Sequence, residues 1–101
     1  MRSPAHTYIP DELREKIPPL GATADDPDPI VWVTLYTPDS SWSWFITEYD
    51  GEDCCFGLVE GHETELGYFS LREIEAVRGP SGLEVERDLW FTPVPLSVAR
   101  A

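Results

Sequence analysis

The sequence predicts a small α+β domain, in which one antiparallel sheet of about five strands is joined to two helices in the order α-β-β-β-β-α-β. Three observations support this prediction. The chain has 101 residues, 42% of them hydrophobic, which suffice for one core and so for a single domain over residues 1–101. The Asp50-Gly51 pair, between two apolar segments, is a strong hairpin signal. Residues 70–73, Ser-Leu-Arg-Glu, have the form of a capping box and predict the start of a helix.

The first predicted helix covers residues 10–17, and a loop follows it. Proline suits the first helical turn, and the two acids after it lie at the positive end of the helix dipole. Pro18-Pro19 ends this helix. Residues 21–29 have no apolar period and contain two prolines, which is typical of a surface loop.

The next four predicted elements are strands that form an antiparallel meander. Residues 30–36 are β-branched or aromatic almost throughout, as in a strand buried on much of both faces. Residues 42–49, 54–60 and 66–69 supply the other three strands, with turn residues between them.

The last predicted elements are a helix and a strand. The helix begins at Ser70, extends through Val77 and ends at Gly79-Pro80. Residues 83–91 predict the last strand, and the Thr-Pro-Val-Pro segment after it cannot continue a sheet interior. Residues 1–8 and 97–101 are predicted to be flexible ends.

The charge balance excludes several classes of function. The chain has 7 Lys and Arg against 19 Asp and Glu, a net charge of −12. Because Lys and Arg hold a phosphate backbone, we expect no direct binding of nucleic acid, and a macromolecular partner should be basic. No segment approaches the roughly 20 apolar residues that span a bilayer, and the amino terminus carries no apolar signal segment. We therefore expect a cytoplasmic protein with no membrane partner.

No residue pattern predicts catalysis, a metal site or a cofactor. Cys54 and Cys55 are adjacent and are interpreted as small core residues. His62 lies in an acidic turn, but no second histidine or thiolate has the spacing of a metal site, so we interpret it as a solvated turn residue. We expect the protein not to be an enzyme.

The negative charge is concentrated in the middle of the chain. No Lys or Arg stands between Lys16 and Arg72. The acids of this segment are Asp25, Asp26, Asp28, Asp39, Glu48, Asp50, Glu52, Asp53, Glu60, Glu63 and Glu65. Some recur at every second position, which on an extended strand places carboxylates on one face, about 6.6 Å apart.

Two interpretations of these acids stay open. Rows of fixed carboxylates on neighbouring strands would stand in for a phosphate backbone and dock on a basic groove, which is the DNA-mimic hypothesis. Alternatively, acids at hairpin ends keep the protein soluble and prevent edge strands from pairing. The four tryptophans likewise suit a core or an interface, and Trp42, beside a turn, is the one that we expect to be exposed.

An ordered series of motifs extends from about Tyr8 to Leu96. The motifs are Glu12-Leu13-Arg14, Ile17-Pro18-Pro19-Leu20, Thr37-Pro38-Asp39-Ser40-Ser41-Trp42-Ser43-Trp44, Glu48-Tyr49-Asp50-Gly51-Glu52-Asp53, Phe56-Gly57-Leu58-Val59, Glu65-Leu66-Gly67-Tyr68-Phe69-Ser70-Leu71, Val77-Arg78-Gly79-Pro80 and Glu86-Arg87-Asp88. Together they resemble a bacterial domain-of-unknown-function family that occurs on plasmids, conjugative elements and phages. Some proteins similar to this family are type IIA anti-CRISPR proteins, inhibitors of the RNA-guided nuclease of type II CRISPR systems. The resemblance implies an inhibitor carried by a mobile element.

Charge and resemblance lead to the same expectation, a non-catalytic acidic protein that binds a basic protein surface. The resemblance implies a type II CRISPR effector nuclease as that partner, because this nuclease holds nucleic acid in positively charged channels. The residues expected to contact the partner are Glu48, Asp50, Glu52, Asp53, Glu60, Glu63, Glu65 and Trp42. The alternative is an accessory domain of a mobile element that binds another protein through an aromatic patch around Trp42 and Trp44. A homo-oligomer stays open, because a free sheet edge can pair with its own copy.

Overall fold

A computed structural model describes residues 8–101, and residues 1–7, most of the predicted flexible amino-terminal end, lie outside the described part. The strands are β1 Ile30–Val31, β2 Val33–Tyr36, β3 Ser43–Tyr49, β4 Cys54–Glu60, β5 Thr64–Ser70, β6 Glu86–Arg87 and β7 Val94–Pro95. The helices are α1 Asp11–Arg14, α2 Leu71–Glu75 and α3 Leu96–Ala99. Five strands form an antiparallel sheet in the order β5-β4-β3-β2-β6, and β1 pairs with β7 in a second sheet. The α+β class predicted from the sequence is confirmed.

Two local sequence signals set the ends of the central strands. Gly51 has a φ of 87°, a conformation that favours glycine and lets the Asp50-Gly51 turn reverse the chain between β3 and β4. The Ser70 hydroxyl accepts a hydrogen bond from the Glu73 N–H (3.3 Å), so the predicted helix start is confirmed at α2.

A β-bulge interrupts β3 where the sequence alternation predicts a regular strand. Ile46 pairs with Gly57 and Glu48 with Phe56, which leaves Thr47 as the extra residue. Every residue from Trp44 to Tyr49 is buried, because an apolar cluster covers each face of the sheet here. The middle of β3, the central strand of the sheet, therefore has no solvent face.

The carboxy-terminal segment packs on the fold in a way that the sequence did not predict. The predicted strand 30–36 is divided at Trp32, and its first part, β1, pairs with β7 from the proline-containing segment. Of the predicted final strand only β6 forms, and α3 then covers the sheet face opposite to α2. The Ser97 N–H donates to Asp28 (2.8 Å), which fastens α3 to the loop before β1.

The helices are short. The predicted helix over residues 10–17 is helical only in α1, and turns follow it up to Pro18-Pro19. None of the helices within residues 8–101 has the length and apolar character needed to cross a membrane.

Candidate partner-binding site

The predicted contact acids form two groups at opposite ends of β4. Asp50, Glu52 and Asp53 surround the turn between β3 and β4, whereas Glu60, Glu63 and Glu65 surround the turn between β4 and β5. Seven residues of strand, at about 3.3 Å per residue, place the two groups about 20 Å apart. The predicted contact acids therefore form two separate groups rather than one surface.

Glu48 does not face solvent, and the expected exposed row through this residue is wrong. Its side chain is 2% exposed. The carboxylate accepts hydrogen bonds from the N–H groups of Gly21 (2.7 Å) and Thr23 (2.8 Å) and from the Thr23 hydroxyl. The physical reason is the loop over residues 21–29, which lies over this part of β3, and the bulge at Thr47 turns Glu48 to the face that this loop covers. Glu48 therefore fastens the loop over residues 21–29 to the sheet.

Asp50 and Asp53 accept hydrogen bonds that hold the turn after β3 and the start of α2. One carboxylate oxygen of Asp50 accepts hydrogen bonds from the N–H groups of Glu52 (2.8 Å), Asp53 (2.8 Å) and Cys54 (3.1 Å). The Asp53 carboxylate accepts hydrogen bonds from the Ser70 hydroxyl and from the N–H of Arg72 in α2. In this group the exposed Glu52 is best placed to meet a partner.

The hydrogen bonds to Glu48 make stability depend on pH in a defined direction. Burial raises the pKa of the Glu48 carboxyl, and the bonds from Thr23 and Gly21 together lower it by more, so the folded-state pKa lies below the ordinary value. A lowered pKa contributes stability that is present above the unfolded-state pKa, about 4.3, and is lost as the pH falls through the folded-state value.

We therefore expect the stability difference between the native protein and Glu48→Gln to be large at neutral pH and to shrink with acid. Urea unfolding of both proteins at about pH 7, 5 and 3 measures this difference, with the change expected below the unfolded-state pKa of about 4.3. Protonation of the exposed acids at low pH also changes stability, because it reduces their mutual repulsion. This effect is nearly the same in both proteins and cancels in the difference. A difference that stays constant down to the lowest pH would contradict the role of ionised Glu48.

At the other end of β4, Trp42 packs closely against the turn that follows the strand. A Cβ added at Gly61 would overlap three atoms of its six-membered ring, so only glycine lets the turn lie this close. The His62 ring meets Trp42 edge-on, with centroids 5.6 Å apart, and Trp44 stacks at 6.0 Å. Trp42 is half-buried and forms a ridge at this end of the sheet.

This ridge, formed by Trp42 and His62, separates two concave surfaces. The first is an apolar pocket of about 410 Å³, whose walls include Trp42, Trp44, Val77 and Pro80. The second, the acidic groove, has a volume of about 300 Å³ and is lined by Trp42, Val59, His62, Glu63 and Glu65. Both are open to solvent and share the same tryptophan.

Asp39 and Arg78 fix the far wall of the apolar pocket. Asp39 accepts a hydrogen bond from the Ser81 N–H (2.7 Å), and a Cβ at Gly79 would overlap the same carboxylate. The Arg78 guanidinium donates to the carbonyls of Glu75 (2.7 Å) and Val77 (2.9 Å), so it completes the end of α2.

The acidic groove has the composition that suits a long cationic side chain. Val59 and Trp42 offer an apolar and aromatic surface to an aliphatic stem, and the exposed carboxylates of Glu63 and Glu65 lie beside them for the charged head. Glu60, in contrast, is half-buried and already pairs with Arg100 (2.9 Å). Of the predicted contact residues, the structure thus brings together Trp42, Glu63 and Glu65.

The most exposed tryptophan is Trp90, and the expectation that Trp42 would be the exposed tryptophan is wrong. Trp90 is 94% exposed, and Leu89 beside it is exposed as well. The reason is that β6 ends at Arg87 and Asp88 then accepts the Trp90 N–H (3.0 Å), a turn that directs both residues outward. An aspartate two residues before the tryptophan is a turn signal that the sequence does contain.

Neither of the two cysteines has the surroundings of a reactive thiolate. Cys55 is buried, as interpreted from the sequence, and Cys54 is half-buried. Burial is the main cause that raises the pKa of both thiols, which disfavours the reactive thiolate. Among residues 8–101, no three His, Cys, Asp or Glu side chains are grouped so that they would hold a metal ion.

Comparison with known proteins shows the family of the chain. Residues 8–99 match the family described as "Protein of unknown function (DUF2958)". Neither the search of curated proteins nor that of solved structures finds a match. Because the match extends over nearly the whole sequence, the chain belongs to the DUF2958 family.

Proposed function

We propose that the protein is a non-catalytic acidic binding protein whose acidic groove takes a Lys or Arg side chain from a basic segment of another protein. The observation that carries the proposal is that Trp42, Glu63 and Glu65 line the same groove. A cation over an aromatic ring gains about 0.5–2 kcal/mol, depending on how far it is desolvated. The net charge of −12 adds long-range attraction, which speeds the encounter with a basic surface.

We further propose that this partner is a type II CRISPR effector nuclease and that the protein is an anti-CRISPR inhibitor carried by a mobile element. The resemblance described above supports this choice, as do the positively charged channels in which such nucleases hold nucleic acid. The DNA-mimicking surface in this proposal consists of Glu52 at one end of β4 and of Glu63 and Glu65 at the other, without Glu48.

The test combines charge reversal with salt. The variant Glu63→Lys with Glu65→Lys should lose capture of a guide-loaded type II CRISPR nuclease and should no longer inhibit DNA cleavage. Glu12→Lys with Glu15→Lys, two exposed acids near α1, changes the net charge equally and should keep both activities. Capture by the native protein should weaken from low to high salt. Reversal at Glu48 or Asp50 is unsuitable, because these carboxylates hold the fold.

The apolar pocket favours a second candidate function, that of an accessory domain that binds an apolar protein segment while its acids serve solubility. Its walls of Trp42, Trp44, Val77 and Pro80 are the observation on which this candidate rests. Here capture would be insensitive to salt and to reversal of Glu63 and Glu65, and Pro80→Glu at the pocket rim would abolish it. That set of results would overturn the groove proposal, and normal cleavage without capture would overturn the nuclease as partner.

A further inference from the structure

We propose that two copies of the chain pair through β5, antiparallel, with the two-fold axis at Gly67. β5 is the last strand of the larger sheet, and no segment of residues 8–101 pairs with its outer side. It is seven residues long and contains neither Lys nor Pro, which commonly protect an edge strand, and its one charged residue is Glu65 near its start. This inference is independent of the proposed function.

Two hydrogen bonds show which backbone groups of β5 face outward. The Gly61 N–H donates to the Glu63 carbonyl and the Leu71 N–H donates to the Asp53 carbonyl, both at 3.0 Å. At both ends, therefore, the odd-numbered residues of this segment form hydrogen bonds with the β4 side. In an antiparallel pair, residues alternate between those bonded to the partner strand and those facing away from it, so all odd-numbered residues of β5 are bonded to β4. The N–H and C=O groups of the even-numbered residues, which include Leu66 and Tyr68, point away from the sheet.

The same two residues carry exposed apolar side chains. Leu66 is 60% and Tyr68 66% exposed, although the Tyr68 ring already meets Phe56 edge-on at 4.9 Å. In an antiparallel pair centred on residue 67, Leu66 of each copy lies opposite Tyr68 of the other. The outward N–H and C=O groups of these two residues then form hydrogen bonds between the copies, and the side chain of Leu66 in each copy packs against that of Tyr68 in the other. A two-fold contact requires this kind of self-complementarity.

Gly67 supplies an independent observation. A Cβ added there meets nothing within 4 Å, and its φ does not lie in the left-handed region, so nothing within the described chain requires glycine. A glycine inside a strand often marks a close approach of another backbone. In the proposed pairing Gly67 faces its own copy as a non-hydrogen-bonded pair, with Cα atoms about 4.5 Å apart.

The charges along β5 predict an effect of salt. Glu63 and Glu65 lie at the start of the strand, and Arg72 after its end is offset by Glu73 and Glu75, so neither end is positive. Two copies of charge −12 also repel each other as wholes. Pairing should therefore strengthen as salt rises, opposite to the salt effect on capture of a basic partner.

Sedimentation velocity of the full chain at several concentrations and two salt levels tests the pairing. We expect a concentration-dependent dimer that increases with salt. Leu66→Lys should be monomeric, while Leu89→Lys, the same change at an exposed site away from β5, should still form the dimer. A dimer unaffected by Leu66→Lys would overturn β5 as the interface.

A cross-link tests the register directly and does not depend on the Leu66 variant. With Cys54→Ser in the background, Gly67→Cys should form a disulfide with its own copy under mild oxidation, because the expected Cα distance lies within the range that disulfides accept. Glu52→Cys, at an exposed turn, serves as the control and should form far less covalent dimer. No preferential cross-link at residue 67, or a monomer at every concentration and salt level, would overturn the proposal.

Discussion

Replacement of Glu48 by glutamine is expected to lower the free energy of unfolding by about 2–4 kcal/mol. The Glu48 carboxylate accepts bonds from the Gly21 and Thr23 N–H groups and from the Thr23 hydroxyl. A glutamine presents an N–H₂ group to one of these donors, so a donor loses its acceptor at a site with almost no solvent. The loop over residues 21–29 should then detach from the sheet more readily. Urea unfolding measures the loss.

Glu52→Gln is the matched control for this prediction. It makes the same chemical change at an exposed turn, and its effect on the free energy of unfolding should stay within about 0.5 kcal/mol. Equal stabilities of the two variants would show that the Glu48 contacts do not hold the loop.

Replacement of Trp42 by alanine is expected to weaken capture of the basic partner by on the order of 30-fold or more, the range of an interface hot spot of about 2 kcal/mol. Trp42 supplies the wall that the acidic groove and the apolar pocket share, and it packs against Gly61 and His62. Titration of the guide-loaded nuclease with the labelled protein measures the change in affinity.

Trp90→Ala is the control for the tryptophan prediction. It removes the same side chain from a site that is 94% exposed and far from the groove along the chain, and capture should be nearly unchanged. Urea unfolding of the Trp42 variant separates lost binding from lost folding, since its half-buried ring also contributes to stability. Greater loss of capture in the Trp90 variant would move the binding surface to the turn after β6.

The parts of the fold that depend on local residues were predictable from the sequence. Asp50-Gly51 and the Ser70 cap act through backbone preferences and hydrogen bonds within a few positions, and both act as predicted. The pairing of β1 with β7 was not predictable, because it joins residues more than 60 positions apart through a proline-containing segment with little strand character. The bulge at Thr47 is likewise set by tertiary packing rather than by its own sequence.

The candidate site, like the fold, was predictable from the sequence only in part. Residue type and charge identified Trp42, Glu63 and Glu65 individually, but only the register of β3 with β4 places Gly61 on the tryptophan ring and so forms the groove. Glu48 was misplaced because the alternation rule holds only for a regular strand. For Asp50 and Asp53, sequence spacing did not show that their carboxylate oxygens accept hydrogen bonds from backbone N–H groups.

The most direct test of the acidic groove is an NMR titration of the labelled protein with a short arginine-rich peptide at low and at high salt. We expect saturable shifts at the Trp42 indole N–H and at the amides of His62, Glu63 and Glu65, which weaken as salt rises. Shifts spread evenly over the exposed acids, including Asp25 and Glu52, or no shifts at Trp42, would contradict a cation-binding groove at this end of the sheet.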